Sequence, residues 1–205
     1  MDVYQAIATR RDVRAEYTGE LITEEQLRRI LAAGHAAPSV GNSQPWDFVI
    51  IQQPQRLAEF AAHVAGRREA FADSLPGHLK RTFNPIKIEG IRESGTGMVV
   101  TYNPERGGPH VLGRHTIADT GLMSAALAIQ NMWLAATAEG LGMGWVSFYE
   151  EDYLAEFVGC DAPKRPIAWL CLGPVTHLEQ VPDLERFGWR DRRPLDCAIH
   201  RERLR

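Results

Sequence analysis

The stretch TGLMSAALAIQNMWLAATA, residues 120–138, runs into EGLGMGWVS, residues 139–147. It carries no charge between Asp119 and Glu139, which is close to the ~20 residues of a bilayer span. Gln130 and Asn131 stand at its centre, with Thr120, Ser124 and Thr137 around them. That pattern predicts a helix buried in protein rather than in lipid. A helix apolar on most sides needs cover on most sides, so a subunit interface is expected there. The helix stops at Gly140, and a strand over Met143–Ser147 follows.

Outward from this centre, helices and strands alternate without a regular βαβ rhythm. Asp2 caps a short helix over 2–9, with Val3, Ala6 and Ile7 on one face. Thr23 and Gln26 form a capping box for the next helix, with Ile22 and Leu27 as its hydrophobic staple. Leu27, Ile30, Leu31 and Gly34 follow at helical spacing. Strands are expected over Trp46–Ile51, Gly97–Tyr102 and Ile167–Leu172. Residues 54–83 read as helical, broken at Gly66 and at Pro76-Gly77, with the polar, mixed look of a mobile cover. The class is α+β: one domain over 1–205, with a lid around 66–90 and a C-terminal extension around 181–205.

Composition narrows the function. The chain has 205 residues, 44% apolar and 24% charged, with a net charge of −3. That balance gives no broad attraction for nucleic acid. Cys160, Cys171 and Cys197 form no CxxC pair, so reduced thiols in a cytoplasmic protein are expected. The first residues, MDVYQAIATRRDVR, contain no apolar signal core. Seven histidines show neither His-x-Glu nor HExxH spacing, so no metal site is expected. His35 reads as a satisfied helix residue. His110 and His115 flank a glycine loop, where proximity to a site and a plain loop role both remain open. The tryptophans at 133, 145 and 169 read as packing residues, and the cysteines as core residues.

Three motifs carry chemical potential. Arg10, Arg11 and Arg14 crowd one turn, where guanidinium groups repel unless an anion joins them. Their forks suit phosphate oxygens, although a solvated cluster partly neutralised by Asp12 is the plainer reading. The loop APSVGNSQPW, residues 37–46, offers Ser, Asn and Gln side chains able to read the edge of a planar heterocycle. A ligand-free connection is an equal alternative. Gly140, Gly142 and Gly144 alternate into a strand, and such glycines let a backbone approach a flat ligand. They do not form a dinucleotide fingerprint, because they follow a helix and precede a strand.

Together, in order and spacing, the three motifs resemble the FMN-dependent nitroreductases. That family has an Arg-Arg-Ser-x-Arg turn, a Pro-Ser-x-x-Asn-x-Gln-Pro-Trp loop and a Gly-Leu-Gly start to the strand after its long helix. A basic pair near the C-terminus, here Arg192-Arg193, completes the likeness, which covers nearly the whole chain. Asp12 departs from it, standing where most members carry serine. A carboxylate beside a phosphate site costs energy unless it turns away, and a catalytic role would offset that cost. Arg-Arg-Asp-Val-Arg is similar to the signature of the branch that makes 5,6-dimethylbenzimidazole. KIEGI (87–91), RGG (106–108), LGR (112–114), IQNMWLAA (129–136), GWVS (144–147), AWLCLG (168–173) and GWR (188–190) extend the match. Asn42-Ser43 is closer to the general nitroreductases, and 66–84 matches the branch only loosely.

The resemblance implies a nitroreductase-like fold: a central mixed sheet flanked by helices in an intertwined homodimer, with two FMN sites at the interface. It places Arg10, Arg11, Asp12, Val13, Arg14, Ser39, Asn42, Lys87, Val146 and Arg192 around FMN. Of these, Arg10, Arg14 and Arg192 would hold the phosphate. Ser39 and Asn42 would reach the neighbouring subunit's flavin, and the backbone at Val146 would face the ring. Reduced FMN would be both cofactor and substrate, with O2 as oxidant and a separate flavin reductase or free reduced flavin as its source. Asp12 is the candidate base, and Ser147 a hydrogen-bonding partner of the flavin. An NAD(P)H-dependent nitroreductase and a non-enzymatic flavin-binding protein are the alternatives.

Overall fold

Residues Trp46–Ile51 form strand β1, the edge of a four-stranded sheet in the computed structural model, which describes residues 1–204. Arg205, the last residue of the expected C-terminal extension, lies outside the described residues. Strands β2 (Thr96–Tyr102), β3 (Leu141–Val146) and β4 (Arg165–Pro174) complete the sheet in the order β1-β2-β4-β3. All three pairings are antiparallel. The sheet is therefore antiparallel and not mixed as expected; among the described residues the parallel pairing is an isolated bridge from Asp12 to Met143 at the outer edge of β3.

The sheet is buried on both faces, which explains why β2 and β4 read as continuous apolar runs. Side chains alternate along a strand, so Met98 and Val100 of β2 face one core and Val99 the other. On β4, Ala168, Leu170 and Leu172 join the first core, while Trp169 and Cys171 join the second. Helices α2 (Glu24–His35) and α5 (Thr120–Ala138) cover the first face through Leu27, Ile30, Ile129 and Met132. The Thr23 capping box is present, and Ile22 and Leu27 are both buried.

Helices α3 (Pro54–Ser74) and α6 (Glu151–Val158) cover the second face. Phe60 stacks on Trp169 with ring centroids 3.8 Å apart and planes 16° from parallel. Such pairs contribute about 0.5–1.5 kcal/mol beyond their buried area. Leu57, Phe60, Ala61 and Val64 are buried, so the first half of α3 is core and not cover, against the sequence expectation. Gly66 does not break this helix, because it lies exposed and only its modest propensity cost of about 1 kcal/mol is felt there. The break falls at Pro76, before α4 (Gly77–Phe83).

The N-terminal helix α1 (Val3–Thr9) is capped by Asp2 and packs on α5. Ala6 is its one buried residue; Val3, Tyr4 and Ile7 are exposed. On α5, Met123 and Leu127 are likewise exposed. The tail contains a short helix, α7 (Asp183–Arg186), and a 3-10 turn over Leu195–Ala198. No described helix is long and apolar enough to cross a membrane.

Candidate active site

Beside the β3 edge lies a cleft of about 340 Å³, lined on one side by Arg11–Arg14, Trp145, Ser147 and Phe148. Ile86–Ile88 and the tail residues 181–184 close its other sides. The glycines of β3 explain how the basic turn reaches that edge. A Cβ on Gly142 would stand 2.4 Å from Val175 and 3.0 Å from Val13. One on Gly144 would stand 2.2 Å from the Arg14 Nη1 and 2.3 Å from the Val13 carbonyl. The room that the sequence reading assigned to a flat ligand is therefore filled by residues 13, 14 and 175.

Asp12 extends the β3 ladder. The Val13 N–H donates to the Met143 carbonyl at 3.0 Å, and the Trp145 N–H donates to Asp12 Oδ1 at 2.9 Å. The carboxylate thus takes the place of a strand carbonyl at an edge that would otherwise stand open. Arg14 grips the same group: Nη1 donates to Oδ1 at 2.5 Å, and Nη2 donates to Oδ2. Nη1 also reaches the Val13 carbonyl at 3.0 Å and Nη2 the Trp145 carbonyl at 2.8 Å. Burial alone would lower the pKa of Arg14, but the Asp12 carboxylate outweighs it and raises the value.

Arg10 lies in a different setting. Its guanidinium sits over the Trp133 ring at 4.8 Å. Partial burial lowers its pKa; Asp12 opposes this, and the cations of Arg11 and Arg192 add to the lowering. Two cations beside Arg10, with the nearby anion already committed to Arg14, form a surplus of positive charge that a phosphate would relieve. Such a surplus suits an anionic group such as the phosphate of FMN, and it lies outside the residues that line the cleft itself. Arg11 lines the cleft and donates to the carbonyls of Ala8 at 2.9 Å, Arg10 at 2.7 Å and Gln180 of the tail, while its buried Nε has no partner among the described residues.

Lys87 lines the cleft and pairs with Glu93 at 2.5 Å. The Val146 side chain points into the core, while its neighbours Trp145 and Ser147 line the cleft. Ser39 and Asn42 are not brought to this cleft. They precede β1, at the opposite edge of the sheet from β3. There Ser39 Oγ accepts the Gln44 N–H at 3.0 Å, and Asn42 Oδ1 accepts from Gln44 Nε2 at 3.2 Å. Among the described residues, no group of acidic, His and Cys side chains is placed to hold a metal.

Sequence reasoning missed the aromatic cluster above the cleft. Phe71, Phe83, Phe148 and Trp189 join the end of α3, α4, the cleft wall and the tail, with Phe71–Phe83 centroids at 5.0 Å and Phe83–Trp189 at 5.9 Å. Nothing in their spacing along the chain announced it. Trp133 combines packing with a polar contact, donating its indole N–H to the Arg11 carbonyl at 3.0 Å. His35 accepts from the Trp46 indole at 3.3 Å and is satisfied as expected.

The profile of the Nitroreductase family matches residues 7–174. A 5,6-dimethylbenzimidazole synthase of Rhodospirillum rubrum is 36% identical, with 90% of this chain and 87% of that protein covered. A protein of the same description from Rhodobacter capsulatus is 31% identical over 94% of this chain and 92% of its own length. The solved structure of a BluB-like flavoprotein from Clostridium difficile superposes with a TM-score of 0.73 at 19% identity, covering 99% of this chain and all of that one, a likeness of fold. Its profile match, its relatives and its two-faced antiparallel sheet agree: the chain belongs to the nitroreductase family.

Proposed function

We propose that this chain is a 5,6-dimethylbenzimidazole synthase, fragmenting reduced FMN with O2 to form the lower ligand of cobalamin. The observation that carries the reading is the placing of Asp12 and Ser147 in one cleft by the edge of β3. The relatives in Rhodospirillum rubrum and Rhodobacter capsulatus support it by their descriptions. Reduced FMN, bound as cofactor and substrate, supplies the electrons and the carbon skeleton of the product.

The chain's own residues do the rest. Arg10 and Arg192 clamp the phosphate. Asp12 accepts a proton from the ribityl chain, and a positioned base must lie within hydrogen-bond reach of that proton. Ser147 would donate a hydrogen bond to the flavin beside the backbone of Val146, and Val13 and Lys87, which line the same cleft, would border it. Residues 66–90 close as a lid, held to the tail through Phe83 and Trp189, and exclude water from the reacting flavin.

The site is completed by a second copy. Ser39 and Asn42, at the far edge of the sheet, serve the flavin of the neighbouring subunit in a homodimer. Tyr4 and Ile7 of α1 and Met123 and Leu127 of α5 are exposed and apolar. A groove of about 580 Å³, lined by Leu122, Ala126, Trp145 and Ile167, lies between that helix and the cleft. The enzyme works in the cytoplasm on reduced flavin made by a separate reductase or taken from solution.

One experiment separates this reading from its alternatives. The protein is loaded with reduced FMN without oxygen, air is admitted, and flavin and benzimidazole are separated by chromatography. A synthase consumes its flavin and yields 5,6-dimethylbenzimidazole. A nitroreductase returns intact oxidised FMN and turns over with NAD(P)H. A storage protein holds or releases its flavin unchanged.

A further inference from the structure

Arg14 belongs, by its place in the basic turn, to the expected phosphate contacts, and its bonding says otherwise. A guanidinium carries five N–H donors, four of them on the terminal nitrogens. Those four meet Asp12 Oδ1, Asp12 Oδ2, the Val13 carbonyl and the Trp145 carbonyl. No terminal N–H remains for a phosphate. Arg14 is also 8% exposed, and it lies in a lane that exists because residue 144 has no side chain.

We propose that Arg14 is a positioning residue for Asp12 and takes no part in binding the flavin phosphate. It rests on the reading of Asp12 as the acting carboxylate. The fork fixes both oxygens in one plane, and the Trp145 N–H fixes the plane against β3. Trp145 precedes Ser147 by two residues, so Asp12 is held in register with the strand whose end leads into Ser147. Three of the roughly four acceptor sites of a carboxylate are then occupied. The remaining one belongs to a group that lines the cleft, aimed without a search over rotamers.

The test compares wild type, Arg14→Gln, Arg14→Lys and Asp12→Asn, together with the double variant Asp12→Asn/Arg14→Gln. Affinities for FMN and riboflavin come from quenching of flavin fluorescence, and the yield of benzimidazole per flavin oxidised comes from a single turnover. Arg14→Gln is expected to lower that yield at least tenfold while leaving the ratio of FMN to riboflavin affinity within twofold of wild type. Arg14→Lys, keeping charge without the fork, is expected to recover part of the yield. In the Asp12→Asn background, Arg14→Gln is expected to cost less than threefold more. A tenfold fall in the FMN-to-riboflavin ratio would make Arg14 a phosphate ligand and overturn the proposal, and so would fully additive losses in the double variant. Should Arg14→Gln fail to fold, Arg14→Lys carries the same two readouts. A wild type that forms no benzimidazole defeats the functional reading instead, and the affinity ratio still decides whether Arg14 touches the phosphate.

Discussion

Arg10 spreads its guanidinium over the indole of Trp133, 4.8 Å from the ring centroid, with Arg192 near enough to lower its pKa. The aromatic face steadies a cation that its neighbours repel. The long buried helix and the C-terminal tail thus meet at one positive spot, which is where a dianionic phosphate is expected to sit.

Arg10→Ala and Arg192→Ala should each weaken FMN binding. A hydrogen bond to a charged group contributes about 1.5–3 kcal/mol, or roughly ten- to a hundredfold in affinity. Riboflavin, without the phosphate, should bind poorly to the wild type and be indifferent to both changes. Equal affinity for the two flavins, measured by fluorescence titration, would reduce the arginines to a solvated face.

Asp12→Asn should lower benzimidazole formation by about 10²–10⁴, the usual worth of a positioned base. Oxidised FMN should return intact. The structure adds a second effect, because Asn presents one acceptor where Arg14 uses two. Leaving a buried donor unmade costs about 1–3 kcal/mol, toward the lower end here because the Asp12 side chain is half exposed and screened by water. Ser147→Ala should show a milder form of the same uncoupling without that loss of stability. Normal yield from Asp12→Asn would place the base elsewhere.

Light scattering at micromolar concentration should give about twice the chain mass of 22.9 kDa. Leu127→Glu, a charge set into the exposed apolar face of α5, should shift the mass toward one chain and lower flavin affinity with it. A well-folded monomer that binds FMN as tightly as the wild type would remove the neighbouring subunit from the site.

Burial pushes the Cys171 thiol up to about 12. A thiol held above its unfolded value of about 8.5 stays protonated in the fold, so its share of stability is full below that value. It is lost as pH rises from there toward about 12. Against the expectation of core cysteines, only Cys171, on a central strand, is buried; Cys197, in the tail, is exposed and Cys160, just past α6, is half-buried. Titration with a chromogenic disulfide at pH 8 should therefore modify Cys197 readily and Cys171 only after unfolding. Prompt reaction of Cys171 in the native protein would contradict its place in the core.

Local signals were legible where local physics decides the outcome. The Thr23 capping box, the WDFVII strand and the uncharged 120–138 helix all lie where their residues put them, because caps, β-branched runs and missing charges act within a few residues. Helix α6 was missed: it is eight residues long, with its acidic first turn and the left-handed Gly159 after its end as faint markers. The strand order β1-β2-β4-β3 had no such markers, since pairing depends on which long-range contacts bury most surface. The glycines of β3 show the same limit at the site. Their spacing announced a close approach, but only the fold reveals that Val13 and Arg14 make it.

The carboxylate of Asp12 also decides what its neighbour in the basic turn can bind. The family pattern that this chain resembles keeps the last arginine of the turn but sets serine at the position of Asp12. A serine hydroxyl has no second oxygen to occupy a guanidinium fork, so an arginine beside it keeps N–H groups free for other partners. Asp12→Ser is thus expected to free N–H groups of Arg14 without any change to Arg14 itself. The two positions therefore act as one unit in this chain: what Arg14 can reach is decided by the side chain at residue 12.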